Sequence, residues 1–373
     1  MTKTNILHVT FDMAIAGTEQ VIRQLVENTD NTQFNTAIFC IDGQIKDLGQ
    51  ELIGKGYKID AAAKRQSGLD LSLISSLRDY INENNIDVLH CHQYTPYIYG
   101  LFASFNTQAK VLFTEHGRFF PDSYKWKRYL LNPFLSLFTP NITAISKATA
   151  IALAKFENFP SRKIEVVYNG VKFSRSSTPQ NEDLKAELGI ETNANIVGTI
   201  ARLDPIKNQI MMITAFSAVL SKHPNSYLVI VGDGPDRQNL EQLTADLKIQ
   251  DKVIFTGFKV NPQRYFEIID FFLLSSLSEG TSMTLLEAMA VEKPSVVTNV
   301  GGNPEIVQDG ITGLVTESQN TEQFANAIEQ LMSDKTLSEK MGQAAHKRYS
   351  ELFSEEKMVN KYQIIYEKLT RNK

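Results

Sequence analysis

The sequence predicts an α/β fold in which two doubly wound domains each have a parallel sheet with helices on both faces. The chain has 373 residues, more than one hydrophobic core usually serves. Apolar runs typical of buried strands alternate with helical patterns, and this alternation occurs twice. We predict a first domain at 1–172, a polar linker at 173–190 and a second domain at 191–354. A final helix at 355–373 is expected to pack back on the first domain.

The first alternation begins with a strand at Ile6 to Thr10 and continues with a loop that contains Gly17. The next helix is predicted from the inward spacing of Val21, Ile22 and Leu25. Further strands are predicted at 36–41, 58–59, 87–90, 111–114, 142–145 and 165–168, with helices at 71–84 and 147–156.

The second alternation follows the polar stretch at 174–181. Strands are predicted at 195–200, 227–231, 253–256, 271–274 and 295–298. Helices are predicted at 208–223, 236–247, 262–269, 282–290, 321–333, 337–352 and 355–369. In sheets of this kind ligands bind at the carboxyl ends of the strands, so the loops at those ends are the candidate sites.

The composition is that of an ordinary globular protein, with 42% hydrophobic and 21% charged residues. A net charge of −4 gives no basis for binding nucleic acid. Cys40 and Cys91 lie in apolar strand-like runs, which indicates buried free thiols rather than a disulfide. We find no signal-peptide pattern and no apolar run long enough to span a bilayer, and therefore expect a cytoplasmic protein.

The segment from Ser278 to Ala290 is a polar turn followed by a helical pattern, directly after the apolar strand 271–274. Such a turn directs the unpaired N–H groups of the helix start towards a ligand above the sheet. Glu279 lies in the turn and Glu287 in the helix. Their spacing places the carboxylates at different angles, so they should reach different parts of one elongated ligand with a phosphate in the middle.

The loop after strand 195–200 contains Arg202 and Lys207. The guanidinium of Arg202 is a planar group with forked N–H donors, and the ammonium of Lys207 is a compact point charge. Together they suit a diphosphate whose negative charge grows as a bond breaks, although two solvated surface charges are the simpler interpretation. Gly17 follows the first strand, where a glycine permits close approach of a phosphate, but one glycine turn is weak support. The Gly-rich patterns of dinucleotide and P-loop sites are absent.

These motifs occur together and in order, and over nearly its whole length the chain resembles the family 4 glycosyltransferases, retaining enzymes of the GT-B fold. The most specific part is the Glu279…Glu287 pair with the Gly-Gly-Asn-Pro-Glu that follows it. Supporting motifs lie at 16–19, 168–171, 197–207, 230–235 and 255–258. One departure is visible, because Ala16 stands where the family pattern has a first glycine before Gly17.

The resemblance implies a role for each matching residue. Glu279 would contact hydroxyls of the donor sugar, Glu287 the ribose, and the backbone near Phe258 the base. His116 would lie near the reacting carbon, although a hydrogen-bonded loop histidine is the alternative. The implied catalytic residues are His116, Glu279, Arg202 and Lys207. The implied donor-binding residues are Gly17, Arg202, Lys207, Phe258, Glu279, Gly280, Ser282, Met283, Thr284 and Glu287.

The implied reaction moves a hexose or N-acetylhexosamine from a nucleoside-diphosphate sugar to a glycan or lipid-linked acceptor in cell-surface polysaccharide synthesis. UDP is expected because it is the commonest nucleotide of the family. No Asp-x-Asp triplet occurs, so we expect no metal and no cofactor. The two domains should face one cleft and close over the donor. The acceptor-binding residues are not predicted individually, but first-domain loops such as 118–122 and the segment after His92 are the candidates.

Two other classes of function remain open at this point. The same fold could serve a sugar-nucleotide epimerase or hydrolase, which would process the donor without an acceptor. It could also serve a non-catalytic partner in a polysaccharide assembly complex. The complete set of donor-site residues argues for transfer over both.

Two further segments suggest other sites. His90-Cys91-His92 could suggest a metal, but without a second ligand cluster it is better explained by strand packing. Trp126–Phe138 combines a basic edge with aromatic and leucine residues. It fits a helix lying on a membrane surface near a lipid-linked acceptor, or a core helix of the first domain, which is the simpler interpretation.

Overall fold

The computed structural model describes residues 3–63, 65, 68–117, 123–172 and 181–371. These residues form two compact units. The first comprises 1–170 together with 355–373, and the second comprises 171–354. Each unit has its own parallel sheet, and the predicted fold class is confirmed in this respect.

The strands of both sheets are short and mostly buried. In the first unit they are β1 (Thr4–Thr10), β2 (Phe34–Cys40), β3 (Lys58–Ala61), β4 (Val88–His92), β5 (Lys110–Glu115), β6 (Asn141–Ala144) and β7 (Ile164–Val166). In the second they are β8 (Asn195–Ile200), β9 (Ser226–Val231), β10 (Val253–Gly257), β11 (Phe271–Leu274), β12 (Ser295–Thr298) and β13 (Gly313–Thr316). The strand orders are β3-β2-β1-β4-β5-β6-β7 and β10-β9-β8-β11-β12-β13.

Helices connect these strands. They are α1 (Gly17–Asn28), α2 (Asp47–Gly54), α3 (Leu71–Glu83), α4 (Tyr94–Ser104), α5 (Trp126–Leu135), α6 (Lys147–Glu157), α7 (Asn181–Glu187), α8 (Gln209–Leu220), α9 (Arg237–Asp246), α10 (Arg264–Ile268), α11 (Met283–Ala290), α12 (Asn303–Ile306), α13 (Thr321–Ser333), α14 (Lys335–Leu352) and α15 (Glu355–Thr370). The short turns at Ser136–Phe138, Ser161–Lys163, Pro205–Lys207 and Gln250–Lys252 are 3-10 helices.

Each strand order contains a point where the connections change direction. In the first sheet β1 lies between β2 and β4, and in the second β8 lies between β9 and β11. The loops after these central strands therefore diverge at one edge and leave a crevice there. Since all strands in each sheet are parallel, every loop that follows a strand lies at that same edge.

The core of the first unit is closely packed. Helix α4 rests on β4 and β5, and a Cβ added at Gly100 would lie 2.3 Å from Cys91 Sγ. Only glycine therefore allows this approach of helix to strand. Cys40 and Cys91 are both buried and free, which confirms the prediction for the thiols.

The C-terminal helix α15 belongs to the first unit. Its Tyr362 and Tyr366 are almost completely buried, and the Tyr366 ring meets that of Phe34 edge to face at 6.0 Å. Gln363 Oε1 accepts a hydrogen bond of 2.7 Å from the backbone N–H of Asp30. Helix α15 is therefore part of the core of the first unit, together with residues from the beginning of the chain.

The predicted linker at 173–190 is only partly linker. Residues 173–180 lie outside the described part of the chain, and α7 follows directly as a helix. Leu184 is 3% exposed, and α7 packs against α10. The polar composition of this stretch gave no indication of α7, which buries the side chain of Leu184.

Candidate active site

The strongest constellation in the second unit lies where β8 and β11 are neighbours. The loop after β8 provides Lys207, and the loop after β11 provides Glu279. Lys207 Nζ donates to Glu279 Oε1 at 2.6 Å, and Ser276 Oγ donates to the same oxygen at 2.6 Å. The Glu279 side chain is 8% exposed and that of Lys207 is 25% exposed. An ion pair therefore bridges the two loops that diverge at this point of the sheet.

The backbone of Glu279 is held by the glycines after β12. A Cβ at Gly301 would lie 1.7 Å from the Glu279 carbonyl oxygen, and Gly301 has a φ of +50°. The N–H of Gly302 donates to that carbonyl at 3.3 Å. A side chain at Gly301 would displace the loop that carries Glu279, because both the space and the backbone angle exclude it.

The backbone of Lys207 is also fixed at several points. Asp204 accepts a hydrogen bond from the N–H of Ile206 at 3.1 Å and so caps the 3-10 turn. Asn208 then adopts a left-handed φ of 51°. Ser275 Oγ donates to the carbonyls of Lys207 and Asn208, each at 2.9 Å. These contacts direct the ammonium group towards Glu279 without help from a ligand.

Arg202 differs from Lys207 in the freedom of its side chain. Its carbonyl accepts a hydrogen bond of 3.0 Å from Gln209 Nε2, which anchors the backbone. Its guanidinium is paired with Asp204, and the side chain is 62% exposed. An exposed ion pair of this kind contributes little stability, so the guanidinium can change partner at low cost.

Helix α11 begins at the same sheet edge. Ser282 is its N-cap and accepts a hydrogen bond from the N–H of Leu285 at 3.4 Å, and Thr284 Oγ1 lies 3.2 Å from Ser282 Oγ. Gly280 and Thr281 connect this start to Glu279. The first N–H groups of a helix have no partner within it, which suits Met283 and its neighbours to bind an anion.

Glu287 lies further along α11 and is linked to the loop after β10. Gln263 Nε2 donates to Glu287 Oε1 at 3.5 Å. Burial raises the pKa of Glu287 to about 7, and the hydrogen bond from Gln263 opposes this shift. Phe258 follows the left-handed Gly257 and is 62% exposed. Gln263 was not predicted as part of the site, and only its contact with Glu287 reveals it.

Gly17 and His116 belong to the first unit. Gly17 is exposed in the first turn of α1, after the loop that follows β1. The adjacent Thr18 accepts a hydrogen bond of 3.1 Å from Gln93 Nε2, in the loop after β4. The loops after β1 and β4 therefore meet at the crevice of the first sheet, as Lys207 and Glu279 do in the second.

His116 follows β5, and of its two ring nitrogens only Nε2 has a hydrogen-bond partner among the described residues. Its Nε2 lies 2.9 Å from His92 Nδ1, while its Nδ1 is buried without a hydrogen-bond partner among the described residues. His92 in turn contacts His8, and His8 is paired in register with His90. The alternation of polar residues along β4 was the only sign of this cluster in the sequence.

His8, His90 and His92 are close enough together to suggest a metal site. Both nitrogens of His90 are already occupied, by Tyr366 OH at 2.8 Å and by Thr114 Oγ1 at 2.7 Å. The His90 and His92 rings have their centroids 4.0 Å apart and are tilted by 32° to each other. A metal requires ring nitrogens that converge on one point, so this arrangement fits hydrogen bonding within the core better than chelation.

A cavity of about 330 Å³ opens beside these residues in the first unit. Its lining includes Gln93, Tyr94, Glu115, Lys125, Arg128 and Glu157. The Arg128 guanidinium stacks 3.8 Å from the Tyr94 ring centroid and lies 3.2 Å from Glu157 Oε1. The cavity therefore offers donors, acceptors and an aromatic ring within a small volume. The candidate acceptor loop at 118–122 lies outside the described residues.

Helix α5 and the turn after it expose most of their apolar side chains. Leu130 and Leu137 are 68% exposed, as is Trp126, and Phe134 is 59% exposed. Asn132, Leu135 and Ser136 are the buried residues of this segment. The interpretation of Trp126–Phe138 as a core helix is therefore wrong, because its apolar face points away from the sheet. Within the described residues no helix has both the length and the apolarity to cross a bilayer.

Two family models together match most of the chain. The family description "Glycosyltransferase Family 4" matches residues 15–175, and "Glycosyl transferases group 1" matches residues 180–348. N-acetyl-α-D-glucosaminyl L-malate synthase of Bacillus anthracis is 30% identical over 313 residues, with 81% of this chain and 80% of the relative covered. An Escherichia coli protein named UDP-Gal:α-D-GlcNAc-diphosphoundecaprenol α-1,3-galactosyltransferase is 25% identical over 347 residues, covering 90% and 89%.

Solved structures show the same fold. A glycosyltransferase from Rickettsia africae superposes with a TM-score of 0.89 at 22% identity and covers 100% of both chains. Anabaena HepE in complex with UDP gives a TM-score of 0.86 at 20% identity, covering 97% of this chain and 99% of that one. Fold and site together define a glycosyltransferase with the GT-B architecture. The chain belongs to glycosyltransferase family 4, and the predicted family is confirmed.

Proposed function

We propose that the protein transfers a hexose or N-acetylhexosamine from a UDP-sugar to a glycan or lipid-linked acceptor in the synthesis of a cell-surface polysaccharide. The observation that carries this proposal is the Lys207–Glu279 pair, held by Ser276 and by the glycines at 301 and 302. A carboxylate fixed in this way accepts hydrogen bonds from sugar hydroxyls. The ammonium group of Lys207 beside it would face the same ligand.

The choice of UDP is supported by what the similar proteins are named or bound to. Anabaena HepE has been solved with UDP and with UDP-glucose, and the Escherichia coli relative is named for UDP-Gal. In this chain Glu287, at the far end of α11 from Glu279, would accept hydrogen bonds from the ribose hydroxyls. The backbone beside Phe258 would contact the base.

The residues would act mainly on the leaving group. As the bond between the anomeric carbon and the phosphate breaks, negative charge grows on the diphosphate and positive charge on the sugar. Lys207 and the first N–H groups of α11 would stabilise this growing negative charge. Arg202 would leave Asp204 and turn to the diphosphate when the donor binds.

We propose that the reaction needs no metal. Enzymes with an Asp-x-Asp triplet place a divalent cation on the diphosphate, and this sequence has none. Arg202 and Lys207 provide two positive charges where such a cation would act. Added chelator should therefore leave the rate unchanged.

We propose further that the anomeric configuration is retained. The acceptor hydroxyl would attack from the face that the phosphate leaves, and its proton would pass to the departing phosphate oxygen. One carbon–oxygen bond breaks and one forms, and the proton ends on the nucleoside diphosphate. No carboxylate of the site is assigned as a covalent nucleophile in this scheme.

The acceptor would bind in the first unit, in the cavity between Glu115 and Arg128. Lys125 belongs to this cavity and directly precedes α5. A lipid-linked acceptor could place its polar part in the cavity while its lipid stays in a membrane beneath α5. The segment from Tyr124 to Phe138 has no acidic residue, which favours an anionic membrane surface.

The experiment that tests the function is a donor panel scored for nucleotide release. UDP-, GDP- and ADP-sugars are each incubated with the protein, with and without a cell-envelope acceptor fraction and with and without chelator. We expect release from a UDP-sugar that depends on acceptor and is insensitive to chelator. Release without acceptor would indicate a hydrolase or epimerase, and donor binding without turnover would indicate a non-catalytic partner. Analysis of the anomeric configuration of the product tests retention.

A further inference from the structure

Two consecutive serines, Ser275 and Ser276, follow β11, and both are completely buried. Ser275 Oγ donates to the backbone carbonyls of Lys207 and Asn208, each at 2.9 Å. Ser276 Oγ donates to Glu279 Oε1 at 2.6 Å. One serine therefore holds the backbone that carries the cation of the ion pair, and the other holds the carboxylate itself.

The backbone of Ser276 is anchored by β12, the strand next to β11. Thr298 Oγ1, at the end of β12, donates to the Ser276 carbonyl at 2.6 Å. Asn303 Nδ2 donates in turn to the Thr298 carbonyl at 3.1 Å. Thr298 and Asn303 have no exposed surface, like Ser276. Because these buried contacts come from β12 and the loop after it, the position of the Ser276 hydroxyl does not depend on Lys207.

Lys207 and Ser276 donate to the same oxygen of Glu279, which leaves the other oxygen open. Oε1 accepts from Lys207 Nζ and from Ser276 Oγ, each at 2.6 Å. A carboxylate oxygen has two lone pairs, so these two donors saturate Oε1. Oε2 accepts no hydrogen bond from the described residues, and the side chain keeps 8% of its surface exposed. Oε2 is therefore the oxygen that is left to accept from a ligand.

The two donors on Oε1 differ in how firmly they are held. The Lys207 side chain is 25% exposed and has several rotatable bonds, whereas the Ser276 hydroxyl is buried and turns about one. Under the proposed function Lys207 also faces the diphosphate, so its N–H donors would be shared between the phosphate and Glu279. Ser276 Oγ donates only to Glu279 within the described part of the chain. The serine can therefore keep the carboxylate in place while the lysine changes partner.

We propose that Ser276 is a positioning residue that holds Oε1 of Glu279 independently of Lys207 and so presents Oε2 to a hydroxyl of the donor sugar. Ser276 itself touches no substrate, since its side chain is completely buried. The sugar part of this inference rests on the proposed function, whereas the independence from Lys207 does not.

The independence from Lys207 is measured by crystallography of full-length variants without ligand. In Lys207→Ala we expect Glu279 Oε1 to stay within about 3 Å of Ser276 Oγ, because Thr298 still holds the serine. In the double variant Lys207→Ala/Ser276→Ala the carboxylate loses both donors and should turn to another rotamer. A carboxylate that leaves Ser276 in the single variant, or keeps its place in the double variant, would overturn the proposal.

The sugar contact is measured by calorimetry as the binding of UDP and of the UDP-sugar that the donor panel identifies. Ser276→Ala should weaken binding of the UDP-sugar by about 10-fold or more, because the hydrogen bond that holds the charged carboxylate is lost. Binding of UDP, which has no sugar for Oε2 to contact, should be nearly unchanged. A merely structural role would weaken the binding of both ligands together.

Two further variants serve as references. Ser276→Cys keeps a weaker donor of similar size and should lose less affinity for the UDP-sugar than Ser276→Ala. Ser295→Ala is the control, because Ser295 is also completely buried but begins β12, at the other end of the strand from Thr298. Its Oγ has no hydrogen-bond partner among the described residues, so both ligands should bind as to the unchanged protein. Thermal unfolding shows that each variant folds.

The two proposals can fail separately. If Ser276→Ala folds and weakens UDP and the UDP-sugar equally, or weakens neither, the positioning role is wrong although the protein binds nucleotide. If the unchanged protein binds neither a nucleotide nor a nucleotide-sugar, the proposed function fails. The crystal structures would then still decide whether Ser276 holds Glu279 without Lys207.

Discussion

At the scale of single residues, the ion pair Lys207–Glu279 joins the loops that follow the neighbouring strands β8 and β11. Glu279 is nearly buried, and Lys207 and Ser276 satisfy one of its oxygens. Such a carboxylate would lose its compensating charge if Lys207 were removed. The pair therefore stabilises the loop and, under the proposed function, also provides the charge that a diphosphate needs.

We predict that Lys207→Ala lowers kcat by about 10²–10³-fold, because one preorganised positive charge on the leaving group is lost. The measurement is steady-state turnover of the donor sugar. Lys222→Ala is the matched control, since Lys222 forms an exposed pair with Glu329 at 2.7 Å, and it should leave kcat unchanged. Equal activity of the two variants would show that Lys207 does not stabilise the leaving group.

Glu287 gives a prediction that needs no substrate. Its pKa is raised from 4.5 to about 7 by burial, so the folded chain holds a proton that the unfolded chain releases at lower pH. Stability from this group is therefore present below pH 4.5 and is lost as the pH rises through 7. Glu287→Gln stays neutral and should be more stable above pH 7 by about 1–2 kcal/mol, allowing for the partial exposure of the carboxyl.

The measurement for Glu287→Gln is thermal or urea unfolding at several pH values between 4.5 and 8. The difference from the unchanged protein should be close to zero at the lowest pH and should grow to a plateau above pH 7. Glu339→Gln is the control, because that side chain is 64% exposed, and it should show no such trend. A difference independent of pH would mean that Glu287 is ionised throughout.

At the scale of elements, α5 is the helix whose environment differs most from what its composition indicates. It is apolar enough for a core helix, yet Trp126, Leu130 and Phe134 are each more than half exposed. Its residue Asn132 is buried and makes two hydrogen bonds. Its Oδ1 accepts from Tyr94 OH at 2.7 Å, and its Nδ2 donates to the carbonyl of Glu157 at 2.9 Å. These polar contacts orient the helix and leave its apolar face outward.

We predict that the protein floats with vesicles that contain anionic lipid and much less with neutral vesicles. Replacing Leu130 and Leu137 together by Ser should reduce the bound fraction at least about 10-fold, since each buried leucine contributes about 1.5–3 kcal/mol. The control replaces Leu71 and Val260 by Ser, because these are 71% and 80% exposed elsewhere. Failure of the unchanged protein to bind anionic vesicles would exclude the membrane role of α5.

The helices and strands differ in how well the local sequence pattern predicts them. Helix α8 and the strands around it are predicted closely, because an apolar run with a clear start at Asn208 is a local signal. Helix α4 was not predicted, since its sequence is apolar on most sides and has no helical period. The edge strand β13 was missed because four residues after a turn give too little pattern.

At the scale of the whole molecule, the chain forms two units whose sequence segments interleave. The first unit needs α15, although the entire second unit lies between α15 and the rest of the first. Tyr366 OH lies 2.8 Å from His90 Nδ1, and Tyr362 OH lies 3.3 Å from Thr114 Oγ1. The end of the chain thus covers the histidine cluster of the first sheet.

We predict that deletion of residues 355–373 unfolds or loosens the first unit and leaves the second folded. Removing Tyr362 and Tyr366 would expose the neutral histidine core to water and leave buried polar groups without partners. Hydrogen exchange should show lost protection in β1 and β4 and retained protection in β8 and β9. Ile364→Ser, at a side chain 50% exposed on the same helix, should change neither. Retained protection in β1 and β4 after the deletion would contradict this account.

The candidate site was predictable to the extent that it consists of loops after strands. Arg202, Lys207, Glu279 and Glu287 were found because each follows a recognisable strand or lies in one motif with it. The sequence carried no sign that Gln263 reaches Glu287 or that Gly301 supports Glu279. Such contacts join residues that are distant in the chain, and their distances depend on how the loops cross the sheet edge.

The sequence by itself determined the fold class, the family and the loops that carry the candidate site residues, because strand and helix patterns and short motifs are local properties of the chain. The tertiary structure alone decided that α5 is exposed and that His8, His92 and His116 form one hydrogen-bonded chain. His8 and His116 are separated by more than a hundred positions, and only the adjacency of β1, β4 and β5 brings them together. Strand order and register are set by packing of the whole unit, which no local pattern records.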